Sequence, residues 1–262
     1  MMFSGLSRFA APIWSMLLSA SMLLLFATAS SNACADEPAA GKQVAMEVEV
    51  DRAASDGNKE KAKVRFWLFL PEGYKADEAK KWPLMLFLHG SGERGDDLEK
   101  VKVHGPPKIV AAEPSKIAMI VISPQCESGK RWDSAELVQL VDQMAKKFNA
   151  DPKRLYLTGL SMGGYGTWNI LADYPGKFAA AVPVCGGGNP TQVEKMKATP
   201  IWVFHGAKDQ AVKLERSEEM VNALQKIQGD VKLTVYPEAG HDSWTETYAN
   251  PEVYKWLLEK SL

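Results

Sequence analysis

Cysteine is scarce in this chain, with three residues in 262, at Cys34, Cys126 and Cys185. Thiols this few and far apart form no C-x-x-C metal cluster and exclude the disulfide-dense class of small secreted scaffold. Cys126 and Cys185 each follow an expected strand, and those strands are not expected to be neighbours, which favours two buried thiols over one bridge. An excess of positive charge is missing too. Thirty-one Lys and Arg stand against 32 Asp and Glu, a net charge of −1, so the chain presents no basic field for nucleic acid or an anionic membrane. Internal repeats and low-complexity segments are absent, which removes solenoids and linker-rich architectures. Histidine occurs only four times, so any candidate for a general base is found quickly.

The first residues are distinct from the rest. Arg8 precedes an apolar run from about Ile13 to Ala29, followed by S-S-N-A-C-A-D-E with small residues at Ala33 and Ala35. This is the layout of a secretory signal peptide over residues 1–35, with cleavage expected after Ala35 and a periplasmic or secreted destination. A transmembrane anchor is the lesser alternative, because the run is short, diluted by serine and lacks a charged stop. Lipidation of Cys34 is disfavoured by Ser31-Asn32-Ala33, which lacks a large aliphatic residue. Cleavage leaves 30 basic and 32 acidic residues and no stable membrane span. Residues 36–262 are long enough for one sizeable core and are expected to form one domain.

Hydrophobic periodicity predicts its elements. Val44–Val50 alternates apolar and acidic residues as a half-exposed strand, and Val64–Leu70 is a second. Trp82–Leu88 and Ile117–Ile122 are apolar runs without alternation, as strands buried on both faces require, Leu155–Thr158 reads as a buried strand, and Ala179–Val184, Ile201–Phe204 and Leu233–Tyr236 follow as strands. Helical stretches fall at Glu136–Phe148, Tyr165–Tyr174, Leu214–Ile227 and Val253–Leu262. Strands alternating with helices predict an α/β three-layer fold with a mostly parallel sheet of about eight strands.

The chemistry centres on Leu155–Trp168, L-Y-L-T-G-L-S-M-G-G-Y-G-T-W, a strand, a sharp turn and a helix. Ser161 lies in G-x-S-x-G, where Gly159 and Gly163 permit a tight turn that lifts the serine above the sheet at a helix N-terminus. A serine hydroxyl needs a base, and the base needs an acid to hold its tautomer. His89 and His205 close strands in H-G pairs and are expected to be structural, and His104 sits in a polar H-G-P-P loop. His241 follows the last strand in E-A-G-H-D-S-W, beyond the carboxyl edge of the sheet, and is the candidate base. Asp209, in H-G-A-K-D at the same edge, is the candidate acid, with Asp242 and Glu238 as alternatives. Two backbone donors for an oxyanion are expected at Met162, next to Ser161, and at Ser91 in the glycine-rich loop after Leu88. Nothing in this chemistry calls for a metal or a cofactor.

Serine, acid and histidine occur in the chain order of α/β-hydrolases. L-H-G-S-G-E-R-G-D-D, S-P-Q-C, G-L-S-M-G-G-Y-G-T-W, P-V-C-G-G-G and H-G-A-K-D together resemble, within the α/β-hydrolase superfamily, the secreted bacterial esterases labelled predicted peptidases or phospholipase/carboxylesterase-like proteins, relatives of polyhydroxybutyrate depolymerases and feruloyl esterases. The resemblance runs from about Val44 to the C-terminus and implies an α/β-hydrolase fold with Ser161, Asp209 and His241 as triad.

Only Cys185 to Pro200 separates two expected strands where many such enzymes carry a helical lid, so no lid domain is expected. An open site suits a small-molecule or polymer-borne ester, with short or aromatic acyl groups, and Trp132, Tyr165 and Trp244 are candidate cleft residues. A serine peptidase of the same fold and a non-catalytic binding protein on a hydrolase scaffold are the competing expectations. Turnover of a peptide, or failure to turn over any substrate, discriminates them. Oligomeric state is not legible in the sequence.

Overall fold

The computed structural model describes residues 38–54, 58–76 and 79–262, so the expected signal peptide at 1–35 lies outside the described residues. Eight strands form one sheet in the order β1-β2-β4-β3-β5-β6-β7-β8. They are β1 (Gln43–Ala53), β2 (Lys59–Phe69), β3 (Trp82–Leu88), β4 (Ile120–Pro124), β5 (Ala150–Leu160), β6 (Ala180–Val184), β7 (Ile201–Gly206) and β8 (Val231–Tyr236). β1 pairs with β2, and β2 with β4, antiparallel, whereas every other pairing is parallel.

Composition explains which strands sit where. β1 and β2 carry charges on alternate residues, and these pair across the exposed face, Lys63 with Glu47 at 2.7 Å and Lys61 with Asp51 at 2.6 Å. β3, W-P-L-M-L-F-L, is buried at every residue and lies at the centre of the sheet. Its alternate side chains serve two cores. Leu84, Leu86 and Leu88 join one with α2 (Ser134–Lys147), α3 (Met162–Asp173) and α4 (Glu215–Lys226), while Met85 and Phe87 join the other with α1 (Gly105–Ala112), α5 (Trp244–Ala249) and α6 (Pro251–Leu258). Helices on both faces of a mostly parallel sheet make the expected three layers.

Local chemistry sets the helix starts. The Asp133 side chain accepts from the Glu136 amide at 3.0 Å to cap α2, whose last turn carries Lys146 and Lys147. Asn250 caps α6 likewise. The connection between β6 and β7 contains one 3-10 segment, Pro190–Met196, and no inserted domain.

Several boundaries differ from expectation, β2 and β5 starting about five residues early, at Lys59 and Ala150, and three differences have a local cause. The strand expected from Ile117 begins at Ile120, because Pro114–Lys116 forms a 3-10 turn and leads the chain in late. H-G-P-P is no loop. It opens α1, since proline is tolerated in a first helical turn, where backbone N–H groups have no helical acceptor. Residues just past His241 form the short α5, too brief for periodicity to reveal.

Leu86, fully buried at the sheet centre, is a sensitive probe of this packing. Leu86→Ala is expected to cost about 2–5 kcal/mol in chemical denaturation, by lost transfer energy and an unfilled cavity.

Candidate active site

Ser161 adopts φ 51°, ψ −114° between β5 and α3, a conformation that costs a non-glycine residue about 1–3 kcal/mol and persists only if its surroundings hold it. They do. The Ser161 amide donates to the Val184 carbonyl of β6 at 3.0 Å, and its carbonyl accepts from the Tyr165 amide at 3.0 Å. On the β3 side there is no room for a side chain, for a Cβ on Gly163 would lie 2.0 Å from the Leu88 carbonyl oxygen. The serine hydroxyl is thereby fixed at the carboxyl edge of the central strands.

The loops after β7 and β8 bring the other two candidates to it. His241 Nε2 lies 2.9 Å from Ser161 Oγ, and its Nδ1 lies 2.7 Å from Asp209 Oδ2. The loops themselves are in backbone contact, since a Cβ on Gly206 would meet the Gly240 carbonyl at 2.2 Å. Asp209 is 4 % exposed, and its other oxygen accepts the Ala211 and Val212 amides, each at 2.9 Å. A carboxyl group buried away from water needs such donors, because an unpaired polar group is costly there. With Asp209 as acceptor, Nδ1 of His241 holds the proton and Nε2 is free to accept one from serine. Of the alternative acids, Glu238 pairs with Lys208, and Asp242 caps Thr245 at 3.2 Å, so neither serves His241.

His205 was expected to be structural, and it is, but at a telling position. Fully buried, it lies with Nε2 3.3 Å from Asp209 Oδ2 and donates from that nitrogen to the Val212 carbonyl at 2.7 Å. Its Nδ1 meets the Ser217 hydroxyl at 2.7 Å, and Ser217 reaches the Gly186 carbonyl at 2.8 Å. The imidazole thus backs the acid loop from behind. The H-G pair at the end of β7, four residues before Asp209, was the sequence signal for it.

Met162 and Ser91 occupy the first positions of α3 and of the 3-10 turn Ser91–Glu93, so neither amide has a helical acceptor. Both line one cavity together with Trp132 and Tyr165. Trp244 stands on the other side, its ring edge-on to His241 at 5.2 Å between centroids and tilted against His104 at 5.3 Å. Of the expected cleft aromatics, Trp132 and Tyr165 thus share a cavity with Met162, and Trp244 packs against His241.

Cys126 and Cys185 are free and buried. Burial pushes the Cys126 thiol up to about 11 and the Cys185 thiol up to about 12. Ligand atoms of Cys185, Asp209 and His241 lie within 4.8 Å of one another, a grouping with metal-ligand chemistry. The Asp209 and His241 atoms are engaged with each other and the thiol is held protonated, so the set is better suited to its hydrogen bonds than to an ion.

His89 ties the turn at Ser91–Glu93 to the chain leaving β4. Its Nδ1 donates to the Gly90 carbonyl at 2.6 Å and its Nε2 accepts the Cys126 amide at 3.0 Å. Burial lowers its pKa from 6.5 to about 4. A base whose folded pKa lies below its unfolded value takes up protons first in the unfolded chain. Stability is therefore lost as pH falls from about 6.5 towards about 4, by up to roughly 3 kcal/mol from this group. In melting curves across that range, His89→Gln should show a shallower pH slope than the parent chain, and identical slopes would remove His89 as the cause.

Comparison with known proteins places the chain among hydrolases. The family description "Dienelactone hydrolase family" matches residues 119–255. A bifunctional acetylxylan esterase/xylanase of Neocallimastix patriciarum is 31% identical over 144 residues, covering 52% of this chain and 20% of that protein. Poly(3-hydroxyalkanoate) depolymerase C of Paucimonas lemoignei is 42% identical over 55 residues, 21% of this chain and 13% of that protein. This chain thus spans a small part of either relative. Among solved structures, a thermostable esterase superposes with a TM-score of 0.69 at 32% identity, over 82% of this chain and 63% of that one. Because the family match runs from the edge of β4 into α6, over more than half of the sequence, the chain belongs to the dienelactone hydrolase family.

Proposed function

We propose that this protein is an exported serine hydrolase that cleaves carboxylic esters through an acyl-enzyme, with Ser161 as nucleophile, His241 as general base and Asp209 as the acid that holds it. The observation that carries the reading is the pair of hydrogen bonds through His241, 2.9 Å to Ser161 and 2.7 Å to Asp209. Ser161 Oγ attacks the ester carbonyl carbon as its proton passes to Nε2, and Asp209 stabilises the resulting imidazolium. The carbonyl π electrons move to oxygen, where the amides of Met162 and Ser91 donate to the developing charge. Collapse breaks the bond to the alcohol oxygen, which leaves with the proton from Nε2. Water then repeats the sequence on the acyl-enzyme, releasing the acid and restoring serine.

Membership of an ester-cleaving family and likeness to an acetylxylan esterase, a polyester depolymerase and a thermostable esterase support ester over amide substrates. The short β6–β7 connection leaves the site open, as suits short or aromatic acyl esters, small or borne on a polymer such as an acylated carbohydrate. No cofactor enters the reaction. Export rests on the apolar run and A-x-A site before Asp36, with a periplasmic or secreted destination.

Ser161→Ala should lower turnover of p-nitrophenyl acetate by about 10⁴-fold or more while leaving the fold intact, and fluorophosphonate should label Ser161 alone. Near-parental activity in that variant would remove Ser161 as nucleophile. A panel of p-nitrophenyl esters of rising chain length, acetylated xylan, methyl ferulate, a phospholipid and a chromogenic peptide should rank short-chain or feruloyl esters first in kcat/KM. Preference for the peptide would reassign the protein as a peptidase, and failure to turn over any of them, without labelling, as a binding protein.

A further inference from the structure

A second cavity, of about 320 Å³, adjoins the one that holds Ser91, Met162, Arg94 and Arg131. The two share Arg131 and Trp132 as a common wall, so a substrate group that extends along that wall from the first cavity enters the second. Its volume falls within the range of small-molecule sites.

The second cavity is lined by β1, β2, the chain leaving β4 and the start of α2. Its charges are largely matched to one another. Arg52 donates to both oxygens of Glu136 and to Glu127, Lys130 pairs with Glu127 at 2.9 Å, and Lys63 pairs with Glu47 on β1. An ion entering here would compete with these pairs, whereas a neutral group would not.

One atom on this lining is unsatisfied. Gln125 is 8 % exposed, and its Nε2 donates to the Glu93 carbonyl at 2.9 Å and the Asp97 carbonyl at 2.7 Å. Those two bonds fix the amide and leave Oε1 as an acceptor, yet that oxygen is buried and accepts from no described residue. A buried acceptor without a donor is costly, so a ligand that brings a donor gains by binding there. Trp132, half-buried, adds an apolar ring to the same wall. The lining therefore matches a neutral ligand with hydrogen-bond donors, acceptors and a C–H face, which is the chemistry of a sugar ring. Each sugar hydroxyl can donate to Gln125 Oε1 or a paired carboxylate and accept from Arg52 or Arg131 without adding charge, while ring carbons cover the indole.

We propose that this second cavity is a subsite for a neutral sugar unit. The preferred ester is then carried on an oligosaccharide, with the esterified unit at Ser161 and the neighbouring unit against Trp132, one hydroxyl donating to Gln125 Oε1. The proposal rests on the reading of Ser161 as nucleophile and names the alcohol side of its substrate.

The test keeps the acyl group constant and varies the sugar, in the full chain. Acetylated xylotriose and acetylated mannotriose are each compared with the acetylated methyl glycoside of the same sugar. For the parent protein one trisaccharide should exceed its single-sugar counterpart in kcat/KM by about ten-fold or more, the gain lying in KM and indifferent to sodium chloride. Gln125→Leu should erase that gain, and so should Ala53→Trp, which fills the cavity from an exposed residue of its lining and leaves the Gln125 bonds intact. Ratios near unity in both pairs, or a gain that both substitutions leave unchanged, would overturn the proposal. Calorimetric titration of Ser161→Ala with unesterified xylotriose, mannotriose and sodium glucuronate reads the subsite without turnover. A neutral trisaccharide should bind, and its binding should be lost when Ala53→Trp is added; binding of glucuronate alone would make the cavity an anion site and overturn the assignment. Trisaccharide binding alongside turnover that survives Ser161→Ala would sink the nucleophile reading alone. Ser161-dependent turnover, with neither trisaccharide bound or preferred, would sink the subsite alone.

Discussion

The backbone at Ser161 can stay in its strained conformation only because three strands and a helix grip it at once. β6 supplies an acceptor for the serine amide, and the carbonyls ending β3 press against Gly163 so closely that a single added carbon would collide with them. The Gly163 carbonyl in turn accepts the Thr167 hydroxyl at 2.9 Å, stitching the first turn of α3. The strain at the reacting group is thus held by the packing of the whole domain.

That rigidity gives the electrostatics their effect. Asp209 is buried and multiply hydrogen-bonded, so the oxygen that faces His241 Nδ1 is held in place. His205, Ser217 and the Gly186 carbonyl form a buried row behind it, which connects the acid loop to the chain leaving β6. On the opposite side His89 performs the corresponding task for the oxyanion turn, spending both nitrogens on backbone. Two histidines outside the Ser161–His241–Asp209 row thereby hold the two loops that flank it. The cavity with Arg94 and Arg131 opens off the second of these loops.

Much of this was legible in the primary structure. Uninterrupted apolar runs revealed the buried strands, because a strand covered on both faces has no polar face to alternate. The elbow was legible because only glycine fits where backbone meets backbone, and the order of Ser161, Asp209 and His241 followed from which loops leave the same edge of a parallel sheet. Less legible were α1, hidden by a proline pair that reads as a break but fits a first helical turn, and α5, which is barely longer than a turn and a half.

Sequence by itself determined the layered α/β class, the elbow and the types of residue available for chemistry, since these depend on local periodicity and on steric limits within a few residues. Only the tertiary structure decided that Asp209 rather than Asp242 or Glu238 meets His241, that His205 backs the acid, and that Arg94 and Arg131 reach one wall beside Met162. Those outcomes depend on distances between loops far apart in the chain, and such distances are set by how strands pair and cores pack, which no local pattern encodes.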